Sequence, residues 1–286
     1  MTVSDILHEE TKALEAADIP SARLDAEVLL SFCLNCNRLE FYKNPDKTIS
    51  QMQLDAFRKL IARRLIWEPV AYITGRKEFW SFALEVNSSV LIPRPDTEII
   101  VEEALDVYRN YNSLPVRILD IGTGSGAIAL ALASEIDGAK IVATDISTSA
   151  LALAQKNAAI LGLGDKIDFR QGSLFEPVEG LFDIIVSNPP YIAASDYEEL
   201  PASVKDFEPC EALLAGVSGL EFYEKLISSA AAYLKKNGWL LLEIGAKQKA
   251  GVRGIMEASG FYESIALRSD YAGLPRVIKA RRKASG

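Results

Sequence analysis

Residues 116–133 read VRILDIGTGSGAIALALA: an apolar run, a glycine-rich turn, and the start of an alanine-rich helix. Gly122, Gly124 and Gly126 let the backbone turn tightly and approach a ligand without a side chain in the way. The helix that follows offers free N–H groups and the positive end of its dipole. Working outward, strand-like runs recur at VRILDI (116–121), KIVATD (140–145), KIDFRQ (166–171), FDIIVS (182–187) and WLLLEI (239–244), with weaker ones near 261–267 and 276–281. Helical patterns fall near 126–136, 148–162, 218–236 and 246–259. Alternation of this kind predicts an α/β domain built on a doubly wound, mostly parallel sheet. Asp145 closes the second strand, 19 residues past Gly126. A carboxylate there can accept hydrogen bonds from the ribose hydroxyls of an adenosine.

The glycine turn admits two readings. Gly122-x-Gly124-x-x-Ala127 satisfies a dinucleotide fingerprint, which would make the chain a nicotinamide-dependent oxidoreductase. Asp120-x-Gly122-x-Gly124-x-Gly126 instead resembles the first motif of class I methyltransferases that use S-adenosyl-L-methionine. Asp120 favours the second, because an acid before the loop suits a ligand ammonium, which a pyrophosphate lacks. The candidate cofactor loop is then Asp120, Gly122, Thr123, Gly124, Ser125 and Gly126, completed by Asp145.

FDIIVSNPPYI (182–192) separates these readings. Ligands of open α/β sheets sit beyond the carboxyl ends of strands, near the point where strand order reverses. Strands one and four are neighbours in the methyltransferase order, so Asn188-Pro189-Pro190-Tyr191 is expected to face the glycine loop. The residue types suit methylation of a planar nitrogen. An amide or ring –NH2 is a poor nucleophile because its lone pair is delocalised. The Asn188 side-chain oxygen and the Pro189 carbonyl can accept its two hydrogens. Pro190 holds Pro189 extended and so fixes where that carbonyl points. Tyr191 offers a flat face to the planar group. A Pro-Pro turn after a buried strand is the plain structural alternative. An oxidoreductase has no use for the tetrapeptide.

The rest of the chain bounds these readings. The 286 residues, 49% hydrophobic and 24% charged, have ordinary globular composition and room for about two domains. The start, MTVSDILHEE, lacks the basic-then-apolar pattern of an export signal, and no apolar run reaches membrane-spanning length, so a cytoplasmic protein is expected. The single histidine, His8, leaves little scope for histidine-based triads or metal sites. Cys33 and Cys36 form a lone CxxC in an apolar stretch and read as core cysteines, so no metal is expected. A net charge of −8 without a basic stripe argues against direct nucleic-acid binding. The basic cluster Arg276, Lys279, Arg281, Arg282 and Lys283 reads as a solvated tail.

Three helical stretches fill residues 1–75, expected to form a small bundle. The second, capped by Ser21, is expected to set Leu24, Val28, Leu29 and Phe32 on one side, and the third to set Leu54, Phe57, Leu60, Ile61 and Leu65 on one face. Residues 76–95 read as a hairpin and linker, with Asn87-Ser88-Ser89 as its turn signal, and 96–286 as the catalytic domain. Asp96 or Thr97 is expected to cap a helix running to about Arg109.

With these residues in view, the sequence resembles the release-factor glutamine methyltransferases, the PrmC/HemK family. The resemblance covers nearly the whole chain. It includes Pro69–Gly75, Leu91-Ile-Pro-Arg-Pro-Asp-Thr-Glu98, the Asp120–Gly126 loop, Asn188–Tyr191, Glu208-Pro209, Leu242–Gly245 with Gln248, and Asp270–Arg276. It implies a seven-stranded Rossmann-like methyltransferase sheet behind a small N-terminal helical domain joined by a β-hairpin. It implies S-adenosyl-L-methionine as cofactor and class I peptide-chain release factors as partners, methylated on the glutamine of a Gly-Gly-Gln motif. The cofactor site then spans the loop, Asp145, Ser173, Leu174 and Asn188. The substrate site spans Asn188, Pro189, Pro190 and Tyr191, with Asn188, Pro189 and Tyr191 catalytic. Two positions depart from the family pattern: Ser173 stands where an acid is usual, and Ala215–Gly219 stands where a Gly-Gly and an Asp are usual. A glutamine methyltransferase acting on a ribosomal protein, and a nucleic-acid N-methyltransferase, remain as alternatives. A protein substrate also suggests a docking role for residues 1–75.

Overall fold

A computed structural model describes residues 1–110 and 115–284. The chain divides into two compact units, Met1–Arg76 with Pro201–Phe207, and Lys77–Leu200 with the residues from Glu208 onward.

The first unit carries α1 (Val3–Ala16), α2 (Ala22–Leu34), α3 (Leu39–Lys43), α4 (Gln51–Leu65) and α5 (Val70–Thr74). Thr2 and Ser50 close full capping boxes with Asp5 and Gln53, the reciprocal side-chain and backbone bonding that fixes a helix start. The core gathers Ile6, Leu7, Leu14, Leu29, Leu30, Phe57 and Ile61. The face of α2 differs from expectation. Ala22, Ala26, Leu29 and Leu30 are buried, whereas Leu24 and Phe32 are exposed. The small Ala22 and Ala26 turn inward where α2 packs on α1 and α4, and two alanines are a weak signal beside a leucine and a phenylalanine. Cys33 and Cys36 are half-buried beside this core rather than within it.

The second unit opens with a hairpin, β1 (Arg76–Phe79) and β2 (Phe82–Glu85). Its turn is Trp80-Ser81, with Trp80 at φ +56°, not Asn87-Ser88-Ser89. The latter makes a separate turn just beyond, where Asn87 accepts from the Ser89 and Val90 N–H groups. Then follow α6 (Glu98–Arg109), β3 (Arg117–Ile121), α7 (Ala127–Glu135), β4 (Lys140–Asp145), α8 (Thr148–Ile160), β5 (Ile167–Gln171) and β6 (Phe182–Ser187). The chain continues through β7 (Ile192–Ala193), α9 (Ala194–Tyr197), α10 (Ala202–Lys205, in the first unit) and β8 (Leu214–Gly216). It ends with α11 (Glu221–Tyr233), β9 (Leu234–Glu243), α12 (Lys249–Ser259), β10 (Tyr262–Ser269) and β11 (Pro275–Arg282).

Seven strands form one sheet in the order β10-β11-β9-β6-β3-β4-β5, parallel from β9 to β5, with β11 alone reversed between β9 and the edge strand β10. Successive strand residues point to opposite faces. Ile118, Ile184, Val186 and Leu241 therefore join one core, covered by α6 and α7, and Leu119, Ile185, Leu240 and Leu242 join the other, covered by α11 and α12. With both faces covered, the central strands read as nearly continuous apolar runs. The basic cluster near the C-terminus is part of β11, not a solvated tail. Arg276 pairs with Asp96 and Asp270, Lys279 with Glu103, and Arg281 with Glu263. No helix among the described residues is long and apolar enough to cross a membrane.

Candidate active site

The strand order reverses between β3 and β6. They pair in parallel, Ile121 opposite Ser187, and the Ser187 hydroxyl donates to the Ile121 carbonyl at 2.7 Å. The glycine turn and Asn188–Tyr191 thus leave the sheet side by side. Residues 122–125 and 188–190 line a cleft of about 970 Å³, together with Asp145, Ser173, Leu174, Thr97 and Arg94, whereas Asp120, Gly126 and Tyr191 are not in its wall and Tyr191 packs against the core under α11 and α12.

Backbone geometry sets the glycine loop. Gly122 and Gly124 have φ of +72° and +56°, and a Cβ at either would meet nothing within 4 Å. Gly126 is different. A Cβ there would lie 3.1 Å from Leu130 and 3.2 Å from Ala154, so α8 closes against this point. The Gly122 and Thr123 N–H groups bond the Thr144 carbonyl, tying the loop to β4. Asn157, buried on α8, donates to the Ser125 carbonyl and exchanges bonds with the Glu85 backbone on β2. The hairpin thereby braces the loop from behind.

Asp145 accepts from the Gly124 and Ser147 N–H groups, one on each oxygen, both at 2.9 Å. Each oxygen keeps a lone pair, so a ribose diol fits the same carboxylate. The buried Thr144 hydroxyl, also in the cleft wall, has no partner. These features, with the open loop, fit the nucleoside end of S-adenosyl-L-methionine. Asp145→Ala is expected to weaken S-adenosylhomocysteine binding by about 10- to 100-fold, the scale of a charge-assisted hydrogen bond. Calorimetry checks this, and unchanged affinity would remove Asp145 from the site.

Asp120 lies beneath the loop, fully buried, with its Oδ2 accepting from the Thr123 hydroxyl at 2.7 Å. Burial pushes its carboxyl up to about 7, against Thr123 and the Ala129 N–H, which pull it down. The folded chain therefore holds an extra proton above the ordinary 3.8. Stability should fall by about 1 kcal/mol per pH unit as pH rises through that window, then level off above about pH 7. Asp120→Asn is expected to reduce the observed slope by about half, since Glu243 is raised to about 7 as well, read from urea midpoints across the window. An unchanged slope would mean the carboxyl titrates normally.

The 188–193 loop is held from its far side. Gln248 donates to the Tyr191 and Gly219 carbonyls at 2.8 and 2.9 Å and accepts from the Gly245 N–H and the Tyr223 hydroxyl. Glu208, buried, accepts from the Ile92 N–H and pairs with Arg94, so residues 208–209 anchor the 91–98 segment. Burial raises the Tyr191 hydroxyl above its ordinary range and keeps it protonated. The Asn188 Nδ2 donates to the Thr97 hydroxyl oxygen at 3.3 Å.

Sequence reasoning missed two residues here. Thr97 occupies the N-cap position of α6, as expected, yet its side chain makes no capping bond. Its hydroxyl oxygen accepts from Asn188 instead, and Glu243, at the end of β9, is a carboxyl that burial raises to about 7. A threonine before a helix looks like a cap, and a glutamate after three leucines looks like a strand end, so neither marks itself. Among the described residues no group of three or more His, Cys, Asp or Glu side chains is placed to hold a metal ion.

Residues 5–75 match the model of the PrmC N-terminal domain, and 104–203 that of the methyltransferase small domain. The chain is 39% identical to the release factor glutamine methyltransferase of Rhodopirellula baltica and 41% identical to that of Geobacter sulfurreducens; each alignment covers 98% of this chain and 96% of the relative. A solved methyltransferase from Pyrococcus furiosus shares the fold, with a TM-score of 0.52 at 20% identity over 71% of this chain and 90% of its own. The tetrapeptide at the carboxyl end of β6, the glycine loop beside it, and full-length likeness near 40% agree: the chain belongs to the release factor glutamine methyltransferase family.

Proposed function

We propose that the chain methylates the side-chain amide nitrogen of the glutamine in the Gly-Gly-Gln motif of class I peptide-chain release factors, with S-adenosyl-L-methionine as donor. The observation that carries this reading is Asn188-Pro189 in the wall of the cleft that also holds Gly122, Gly124 and Asp145. When bound, the cofactor supplies an electrophilic methyl group on a sulfonium. The protein's task is to present the amide nitrogen to it. With Nδ2 of Asn188 turned to Thr97, Oδ1 is the end left for a substrate N–H. The Pro189 carbonyl takes the second N–H. Pinned this way, the carboxamide cannot rotate, and its nitrogen is aimed along one line. Asp145 binds the nucleoside end beside the open glycine turn, and Ser173 and Leu174 line the same cleft. The family names carried by the relatives supply the release-factor substrate. We assign the helical unit to docking of that protein.

Mass spectrometry of a class I release factor after incubation with enzyme and cofactor tests the reading. One methyl increment on the Gly-Gly-Gln peptide is expected, and none on a Gln→Ala substrate. Methylation of a ribosomal protein or of nucleic acid in its place would overturn it.

A further inference from the structure

We propose that Gln248 is a positioning residue that aims the Pro189 carbonyl, the second acceptor for the substrate amide, an inference resting on the function proposed above. The Pro189 carbonyl makes no hydrogen bond with the described residues. That leaves it open to a substrate N–H, and it also means that nothing holds it directly. Its direction has to come from the chain on either side.

Upstream, Ser187 is paired with Ile121 on β3 and Leu242 on β9, and its hydroxyl is bonded to the Ile121 carbonyl. Downstream, the Ile192 N–H donates to the Leu213 carbonyl at 2.9 Å, and the Tyr191 carbonyl accepts from Gln248 Nε2 at 2.8 Å. Few torsions between Pro189 and the Tyr191 carbonyl are soft. The Pro190 ring locks its own φ and keeps Pro189 extended. Pro190 ψ and the two Tyr191 dihedrals remain, and the Gln248 bond restricts them. Gln248 is not in the cleft wall, so it acts through this backbone and not on the substrate.

A glutamine suits this place because its amide brings two donors and an acceptor. Both Nε2 hydrogens are spent on carbonyls, those of Tyr191 and Gly219, at 2.8 and 2.9 Å. Oε1 accepts from the Gly245 N–H at 3.0 Å, with the Tyr223 hydroxyl at 3.3 Å. Backbone groups cannot exchange roles, so the amide has one orientation. Flipped, it would set its oxygen against two carbonyls and its nitrogen against an N–H. Two glycines keep room for it. A Cβ at Gly219 would lie 2.8 Å from the Tyr191 carbonyl oxygen and 2.9 Å from Gln248 Nε2, and one at Gly245 would lie 2.8 Å from Oε1. The same amide ties the end of the 209–219 segment, whose residues 209–212 and 214 line the cleft, to the tetrapeptide. A purely structural clamp would add stability and leave the turnover of folded enzyme alone. An aiming role shows in turnover.

The test compares wild type, Gln248→Met and Gly219→Ala. Gln248→Met removes the amide at similar volume. Gly219→Ala crowds the same Tyr191 carbonyl with Gln248 still in place. Each should lower kcat about ten-fold, since a small misplacement of a reacting group is costly. KM for the release factor and S-adenosylhomocysteine affinity should stay within about two-fold, and the stoichiometry of S-adenosylhomocysteine binding corrects kcat for any unfolded fraction. Carbonyl NMR reads the aim without substrate. Pro189–Pro190 is the only Pro-Pro bond in the sequence, so labelling with [1-13C,15N]proline picks out the Pro189 carbonyl by its 13C–15N coupling. One sharp resonance is expected in wild type, and a shifted or broadened one in both variants. Unchanged kcat in both variants, an equal loss of cofactor affinity, or an unmoved Pro189 resonance would overturn the proposal. If wild type leaves the release-factor glutamine unmodified, the proposed function fails, while the carbonyl resonance still decides whether Gln248 holds Pro189.

Discussion

Asn188→Ala is expected to lower turnover by ~10² or more, the scale of losing one preorganised hydrogen-bonding group from an active site. Cofactor affinity should stay within a few-fold, because the glycine loop and Asp145 keep their own bonds to Thr144, Gly124 and Ser147 without help from residue 188. The fold should also survive. Ser187 still ties β6 to β3 through the Ile121 carbonyl, and Gln248 still holds the Tyr191 carbonyl. What disappears is one of the two acceptors that stop the substrate carboxamide from rotating. The Pro189 carbonyl alone fixes one N–H and leaves the nitrogen free to swing about it. Single-turnover kinetics with a release factor, beside calorimetry with S-adenosylhomocysteine, separates the two effects. Near-normal turnover would reduce the tetrapeptide to a turn after a buried strand.

The sheet was legible in the sequence because its central strands are buried on both faces. Apolar runs such as Phe182–Val186 have no competing reading once helices alternate with them. The active-site loop was legible for a related reason: a backbone at positive φ demands glycine, so Gly122, Gly124 and Gly126 mark themselves. Pairings between distant segments leave no such mark. Glu208 with Arg94 and Gln248 with the Tyr191 carbonyl each join residues that look ordinary in their own stretch. The same holds for Arg276 and Lys279, whose acidic partners Asp96, Asp270 and Glu103 lie on other elements. Local propensity also misled where two answers competed. On α2 the larger side chains Leu24 and Phe32 outweighed the alanines that turn inward, and at the hairpin Asn87-Ser88-Ser89 outweighed a turn at Trp80 that few sequences would suggest.

Arg64→Ala should have the largest effect on stability, about 3–5 kcal/mol, because it strands a buried carboxylate. Arg64 and Asp25 are each 7% exposed, and the Arg64 Nε donates to Asp25 at 2.8 Å. The same guanidinium donates to the Trp67 and Glu68 carbonyls at 3.1 Å and lies over the Trp67 ring. It thus joins α2 to the end of α4 and to the turn before α5. After substitution only the Ser21 hydroxyl, at 2.9 Å, would remain on the carboxylate oxygen that Arg64 had bonded. A small domain is stable by about 5–15 kcal/mol, so the change should remove a large share of the helical unit's stability and lower its melting temperature. The double variant Asp25→Leu/Arg64→Met should recover much of the loss, since apolar replacement of a buried pair is often neutral or better. Hydrogen exchange over residues 1–76 reads both outcomes directly. The pair also tests the docking role. If the helical unit grips the release factor, Arg64→Ala should lose methylation of the protein at the temperature where hydrogen exchange shows that unit opening, while S-adenosylhomocysteine affinity stays near that of wild type, and the double variant should bring methylation back. Equal loss of both activities would show that the helical unit supports the second unit's fold and has no separate part in substrate capture.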